Sequence, residues 1–310
     1  MTLFNYAVFG LNVTSEIELP ELRRREDSAE PDVVVKGGKI TPDEGLGGGL
    51  HIKGSEALLW IPEVGRYLMR DGRELIFDPL PEVSARNVRL YLLGSAIAAI
   101  IHQRGLLPLH ANSILIDGKA IGFMGHPGAG KSTMAAWFHD SGFGILGDDV
   151  CVVSGGSSPV AHAGVPRLRL WREALEASGR TVEGYEMSFD DYDKYNVPIG
   201  EESGPVDQAP LSHLYLLDDA GGSDRSGIEP LHGAAAVEAL VANTYRGGYV
   251  PIMGRTQQHF AACVQLAQVV PVFRVSREWG LESIAGQGRA VAQHARSLIA
   301  RSAPDELDPS

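Results

Sequence analysis

The sequence predicts an α/β protein: a P-loop catalytic domain with a small β-rich N-terminal domain ahead of it. Three observations predict this. Residues 1–85 carry short β-type runs between Gly-, Pro- and charge-rich connections. A complete G-x-x-x-x-G-K-[ST] segment, Gly125-His126-Pro127-Gly128-Ala129-Gly130-Lys131-Ser132-Thr133, stands between a β-type run and a helical one. Strand and helix patterns then succeed one another, so 86–310 is assigned to the P-loop domain.

In the first part the β-type runs are residues 6–11, 33–35, 57–61, 67–69 and 74–77, and 23–32 reads as a solvated loop. Residues 45–49 are glycine-dense, but no helical pattern follows them, so they are not read as a phosphate loop. Residues 88–103 have apolar positions at helical spacing and predict a helix leading into the second domain. Its most apolar part, 90–101, is too short to span a bilayer and predicts a buried helix. The runs 112–116 and 120–124 flank Asp117-Gly118-Lys119, and Asp-Gly between two such runs signals a hairpin. A helix over 131–141, ended by Gly142, follows the P-loop. Later strands are expected at 144–147, 150–153, 212–217 and 270–275. Helices are expected near 234–242, 257–267 and 281–300, with a frayed tail over 302–310.

The chain has 310 residues, 44% hydrophobic and 21% charged, enough apolar material for a sizeable core. Its net charge of −12 argues against broad nucleic-acid binding, which needs clustered Lys and Arg. Nothing in it reads as a polybasic membrane anchor. Residues 1–10 lack the basic segment and long apolar run of a signal peptide, so a cytoplasmic protein is expected. Cys151 and Cys263 have no CxxC spacing and read as reduced, buried thiols.

The P-loop carries the chemistry. Its glycines let the backbone curl so that several N–H groups point at one phosphate, and the following helix adds a positive N-terminal end. Lys131 is expected on the β- and γ-phosphates and the Ser132 hydroxyl on Mg²⁺, so the implied ligands are ATP and Mg²⁺. Downstream, Asp148 and Asp149 follow a β-type run, and adjacent residues on a strand face opposite ways. One carboxylate can face the metal while the other faces an acceptor and takes its proton. His110 precedes the hairpin; alone it would read as a packing or surface histidine.

In order and interval, Leu109-His110-Ala111, Gly118, the P-loop and Gly147-Asp148-Asp149 resemble the catalytic domain of the bacterial HPr kinase/phosphorylase family, over about residues 106–153. The resemblance implies a compact P-loop fold related to phosphoenolpyruvate carboxykinase. It implies that Asp148 is the base for an acceptor serine, that Asp149 contacts the metal shell and His110, and that His110 orients the carboxylates. Where that family has Glu-x-Arg-Gly, this chain has Val165-Pro166-Arg167-Leu168-Arg169-Leu170-Trp171 and lacks the Glu. Residues 15–22, 92–112 and 164–171 resemble a divergent branch found with peptide-biosynthesis genes. Some members of that branch phosphorylate the C-terminal serine of a lasso-peptide precursor, so the implied partner is such a peptide or a small protein.

Arg167 and Arg169, two apart on an expected strand, offer paired guanidiniums for a phosphate or carboxylate. Lys194 lies in a polar stretch that reads as a loop, able to close over ATP and acceptor or simply exposed. Arg246 and Arg255 flank glycine-rich turns, and Asp218-Asp219 reads as a surface turn. Three functions stay open on the residues themselves: a serine kinase for peptides or small proteins, a nucleotide-binding regulator or ATPase switch, and a small-molecule kinase. A homo-oligomer is left open as well.

Overall fold

The computed structural model describes residues 2–26, 29–41, 44–189, 192–199, 206–219, 227–277 and 280–302. All counts below refer to these described residues. Strands β1 (Phe4–Val8), β2 (Leu11–Ser15), β3 (Val33–Gly37), β4 (Gly49–Lys53), β5 (Glu56–Ile61), β6 (Gly65–Arg70) and β7 (Glu74–Pro79) form a seven-stranded sheet in the order β1-β2-β3-β7-β6-β5-β4. The run expected over 6–11 is in fact a hairpin corner, because Phe9 and Gly10 take positive φ (55° and 75°) and split it into β1 and β2. β4 was not anticipated; it is an edge strand paired with β5 alone.

The expected helix is one continuous helical run: α1 (Ala85–Tyr91), a π-helical turn (Leu92–Ala96) and α2 (Ile97–Gln103). Ser84 caps it by accepting the Asn87 amide, one of the N–H groups a helix start leaves without a partner. Its apolar face, including Leu92, Ile97, Ile100 and Ile101, packs in one core with the N-terminal sheet. That core also takes in Val150, Val152 and Val165, so the two parts of the chain meet through buried side chains.

The second part builds on β8 (Leu107–Leu109), β9 (Ala111–Ile116), β10 (Lys119–Met124), α3 (Lys131–Asp140), β11 (Gly144–Gly147), β12 (Cys151–Ser154) and β13 (Val160–His162). It continues through β14 (Arg167–Trp171), α4 (Arg172–Ala177), β15 (Glu186–Phe189), β16 (Tyr192–Pro198), β17 (Gln208–Asp219), β18 (Gly227–Leu231), α5 (Ala234–Ala242), α6 (Tyr249–Ile252), α7 (Thr256–Val269), β19 (Val272–Arg277) and α8 (Ile284–Ser302). Nine of the strands form a mixed sheet whose path runs β11-β9-β10-β17-β13-β12-β8, with β19 attached at β17 and β18 paired with β19. β9 and β10 form the expected hairpin; Asp117 and Gly118 take φ 46° and 74°, the left-handed pair that a tight two-residue turn requires. β10, β17 and β19 run parallel, so their C-terminal ends point the same way, toward the P-loop.

Alternation along β10 explains the layers. Ile121 and Phe123 face a core shared with Met134, Phe138 of α3 and Val291 of α8, while Ala120 and Met124 face a second core with Leu240 of α5 and Leu266 of α7. The sheet thus lies between two helix layers. Against the first layer stands a three-stranded sheet, β14-β16-β15, whose Leu168, Leu170, Tyr195 and Val197 join the same core. Lys194 therefore sits on strand β16 and not on a loop. Asp218 lies at the end of β17 with an ion pair to Arg274, rather than in a surface turn; the loop after it and the tail from residue 303 fall outside the described residues. Cys151 and Cys263 are buried free thiols, each pushed up to about 12 by burial. Among the described residues no helix is long and apolar enough to cross a membrane.

His213 of β17 is 1% exposed, packed edge-on against Tyr215 and Phe273, with Nε2 unpartnered. Burial, and secondarily His294, pull it down to about 4. Below the usual histidine value the unfolded chain takes a proton that the fold refuses, so stability falls as pH drops from about 6.5 to about 4 and levels off beneath that. The gap corresponds to about 3 kcal/mol. Denaturant titrations at pH 7.5 and 5.0 check it: His213→Leu is expected to lose stability less steeply with falling pH than the parent, and equal slopes would contradict this assignment.

Candidate active site

The P-loop leaves β10 at Gly125 and enters α3 at Lys131. Gly125, Gly128 and Gly130 take φ 151°, 86° and 77°, conformations that cost L-residues strain. At Gly125 a Cβ would also stand 2.9 Å from both Ala129 Cβ and the Leu217 carbonyl oxygen, so glycine is needed for packing too. At Gly128 a Cβ would meet open space, the side on which a phosphate can approach the backbone amides. Pro127 and the His126 ring complete the loop and are exposed, and Thr133 of the motif lies in the first turn of α3.

Lys131 is 7% exposed and donates to the carbonyls of Gly125 (2.7 Å) and His126 (3.3 Å). Burial, and then the charge of Lys194, lower it to about 8. Its ammonium is thus held over the loop, where a phosphate can replace carbonyl partners with anionic ones.

Asp148 and Asp149 follow β11 in a bend rather than on the strand itself, and Asp149 has φ 63°. The two carboxylates have different nearest partners, and both reach Arg169. Asp148 Oδ1 accepts from Asn112 Nδ2 (2.8 Å) and lies 3.4 Å from Ser132 Oγ, while its Oδ2 accepts the Arg169 amide (2.7 Å). The Asp149 carboxylate forms an ion pair with the Arg169 guanidinium and lies 4.0 Å from Lys194 Nζ. Each aspartate is 7% exposed. The resemblance to HPr kinases would set Asp149 at the metal and Asp148 toward the acceptor; Asp148 also stands beside Ser132.

His110 approaches Asp149 through the backbone, its Nδ1 being 2.9 Å from the Asp149 carbonyl oxygen. Burial first, then Lys131, Lys194 and Arg169, hold the ring down to about 4, so it is neutral at pH 7. A carbonyl can only accept, so the neutral ring carries its proton on Nδ1 and pins the left-handed backbone at Asp149. Lys194 is likewise lowered to about 8, by burial and then by Arg169 and Arg167 against the pull of Asp148, and lies 5.9 Å over the Trp171 ring. Arg167 is lowered by burial.

A cavity of about 350 Å³ opens beside Asp148 and Asp149, lined also by Arg167, Arg169, Lys194 and Arg246. Arg255 lies away from it and donates to the Gln103 carbonyl, a structural tie.

Three further residues hold the site and escaped sequence reasoning. Asn112 grips Asp148 and also accepts from the Asp149 amide (3.4 Å). Asn243 accepts the Gly125 amide (2.9 Å), and its carbonyl accepts the His110 amide (2.6 Å). Arg277 donates to the Ala129 carbonyl under the loop. Asn112 had a readable signal: with Ser113 it is one of two polar residues in a strand whose other four positions are apolar. Asn243 and Arg277 reach the loop across more than a hundred residues of chain and had none.

Among the described residues no group of three or more His, Cys, Asp or Glu forms a metal cage. Mg²⁺ does not ask for one: it takes one or two protein oxygens and completes its octahedron with waters and substrate phosphates. Ser132 Oγ and Asp148 Oδ1, at the foot of the loop, are hard oxygen donors of that kind, so the residues fit the metal.

No protein-family model matches the sequence. No curated protein matches it either. Among solved structures, the chain is similar to the Hpr(Ser) kinase/phosphatase from Coxiella burnetii, at 14% identity and a TM-score of 0.36, over 62% of this chain and 98% of that one.

Proposed function

We propose that the chain transfers the γ-phosphate of ATP to a hydroxyl of a second molecule, and that this hydroxyl is a serine of a peptide or small protein. One observation carries the proposal: Lys131, Ser132, Asp148 and Asp149 converge at one end of the parallel strands, and a cavity opens beside the two aspartates. Phosphoryl transfer asks mainly for positioning and charge stabilisation, and these groups supply both. When bound, Mg²⁺ would neutralise phosphate charge from the side of Ser132 and Asp148.

The residues divide the work as follows. The P-loop amides and Lys131 hold the triphosphate. Asp148, with both carboxylate oxygens already engaged, stays on the metal side. Asp149, facing the cavity, orients the acceptor hydroxyl and takes its proton while the hydroxyl oxygen bonds to the γ-phosphorus. The bond from that phosphorus to the β–γ bridging oxygen breaks, and ADP keeps the electron pair. His110 fixes the backbone of Asp149. Arg169 and Lys194 meet the charge on the migrating group. This exchanges the roles that the HPr-kinase resemblance gives the two aspartates.

The resemblance to the peptide-biosynthesis branch makes a lasso-peptide precursor the first acceptor to try. Use of ATP and two buried free thiols suit the cytoplasm. Incubation of protein, ATP, Mg²⁺ and serine-bearing peptides, read by mass spectrometry, tests the reading. It expects a peptide heavier by one phosphate and one ADP formed per peptide modified. Inorganic phosphate without any modified peptide would refute the transferase and leave an ATPase switch.

A further inference from the structure

Resting on the part of that reading which puts a triphosphate in the P-loop, we infer that the nucleoside end of the donor, ribose and base, sits in a separate cavity between the loop and α5. This cavity, of about 360 Å³, is walled by His126 of the loop, by Leu216, Leu217 and Asp218 at the end of β17, and by α5. Its size falls within the roughly 300–1,000 Å³ of small-molecule sites. It lies directly against the phosphate loop. Asn243, in its wall, accepts the Gly125 amide through Oδ1 (2.9 Å), and a Cβ on Gly125 would stand 2.9 Å from the Leu217 carbonyl oxygen.

Topology favours this place. β10 and β17 are parallel neighbours. The chain leaves β10 for α3 on one face of the sheet, and it leaves β17, through β18, for α5 on the other. Where the connections of adjacent parallel strands part to opposite faces, a crevice opens beyond their C-terminal ends, and α/β sheets bind ligands there. The cavity is that crevice. Among the described residues it shares no wall residue with the cavity beside Asp148 and Asp149. A triphosphate on the loop with its γ end toward the aspartates thus has room for its other end in this second space.

Charge sets which end goes where. Among the described residues the Asp, Glu, Lys and Arg side chains of the wall are Asp218, Glu238 and Arg274, and Arg274 is paired with Asp218 (3.4 Å). A site with more carboxylate than cation repels phosphate, whereas carboxylate oxygens accept hydrogen bonds from sugar hydroxyls. Glu238 is exposed and has no hydrogen bond or ion pair with the protein, so its carboxylate is open to the ribose. Asp218 keeps accepting capacity beside Arg274, because a carboxylate offers about four lone-pair sites. Ala235, Ala239 and Ala242 carry only methyl groups, and with Leu216 they supply apolar surface for a planar base.

Isothermal titration tests this by comparing ATP·Mg²⁺ with inorganic tripolyphosphate·Mg²⁺, which has the phosphates and no nucleoside. The parent is expected to bind ATP at least about tenfold more tightly. Ala242→Trp puts a bulky side chain at the cavity from an exposed position at the end of α5, which leaves the core alone. It is expected to weaken ATP about tenfold or more and to keep tripolyphosphate within about twofold, a split that loss of folding cannot produce. ATP bound by the variant as tightly as by the parent would overturn the inference, and so would a parent that binds ATP no better than tripolyphosphate. If the variant loses both ligands, Glu238→Ala decides. The parent is expected to prefer ATP to 2′,3′-dideoxy-ATP by about tenfold, and this variant by no more than about threefold. The same preference in both would overturn the inference. The failures are separable: the expected splits without phosphate transfer to any peptide keep the cavity and sink the transferase. Peptide phosphorylation with parental ATP affinity in Ala242→Trp keeps the transferase and sinks the cavity.

Discussion

Replacing Asp149 with Asn lowers phosphate transfer by about 10³-fold, the usual scale for a lost general base, while ATP·Mg²⁺ affinity stays within about twofold. Asn is the informative substitution because it keeps the shape and tolerates the left-handed backbone, φ 63°, in which Ala would add strain. It removes the charge that Arg169 and Lys194 surround and the acceptor for the hydroxyl proton. Asp148→Asn is expected to act differently. Its carboxylate adjoins Ser132 and accepts from Asn112, so its loss weakens the Mg²⁺ dependence of nucleotide binding as well as transfer. Parallel measurements of nucleotide affinity with and without Mg²⁺, and of single-turnover transfer, separate the two aspartates. If Asp149→Asn lost Mg²⁺-dependent affinity and Asp148→Asn did not, the assignment of roles would be reversed.

Lys131→Met is the second large effect. Met fills a similar volume without the charge, so the buried position, 7% exposed, is not left as a cavity. What disappears is the cation held over the loop by the Gly125 and His126 carbonyls. Transfer is expected to fall by about 10³-fold, roughly 4 kcal/mol of transition-state stabilisation, and nucleotide affinity to fall as well. Isothermal titration with ATP·Mg²⁺ and single-turnover transfer measure both losses. Affinity unchanged in Lys131→Met would place the triphosphate somewhere other than this loop.

Legibility followed how local each cause is. The β9–β10 hairpin could be read because Asp117-Gly118 supplies its own turn chemistry, and α5 because its apolar spacing is self-contained. The P-loop was legible because glycines, lysine and serine at fixed spacing answer to one ligand rather than to distant packing. The three-stranded sheet was not legible. β16 alternates buried Tyr195 and Val197 with polar Lys194 and Asn196, yet Asp193 and Pro198 suggest a loop; pairing with β14 makes it a strand. Lys194 was accordingly misplaced while Arg167 and Arg169 were placed on a strand. The orientation of the two aspartates was also hidden, because it depends on a left-handed residue and on grips from Asn112 and His110.

A crystal structure with a non-hydrolysable ATP analogue and Mg²⁺ tests the central claim most directly. It should show the γ-phosphate within hydrogen-bonding reach of Lys131 Nζ, the metal on the side of Ser132 and Asp148, and the terminal phosphorus facing the cavity beside Asp149. A triphosphate bound elsewhere, or one whose γ-phosphate points away from Asp149, would contradict it.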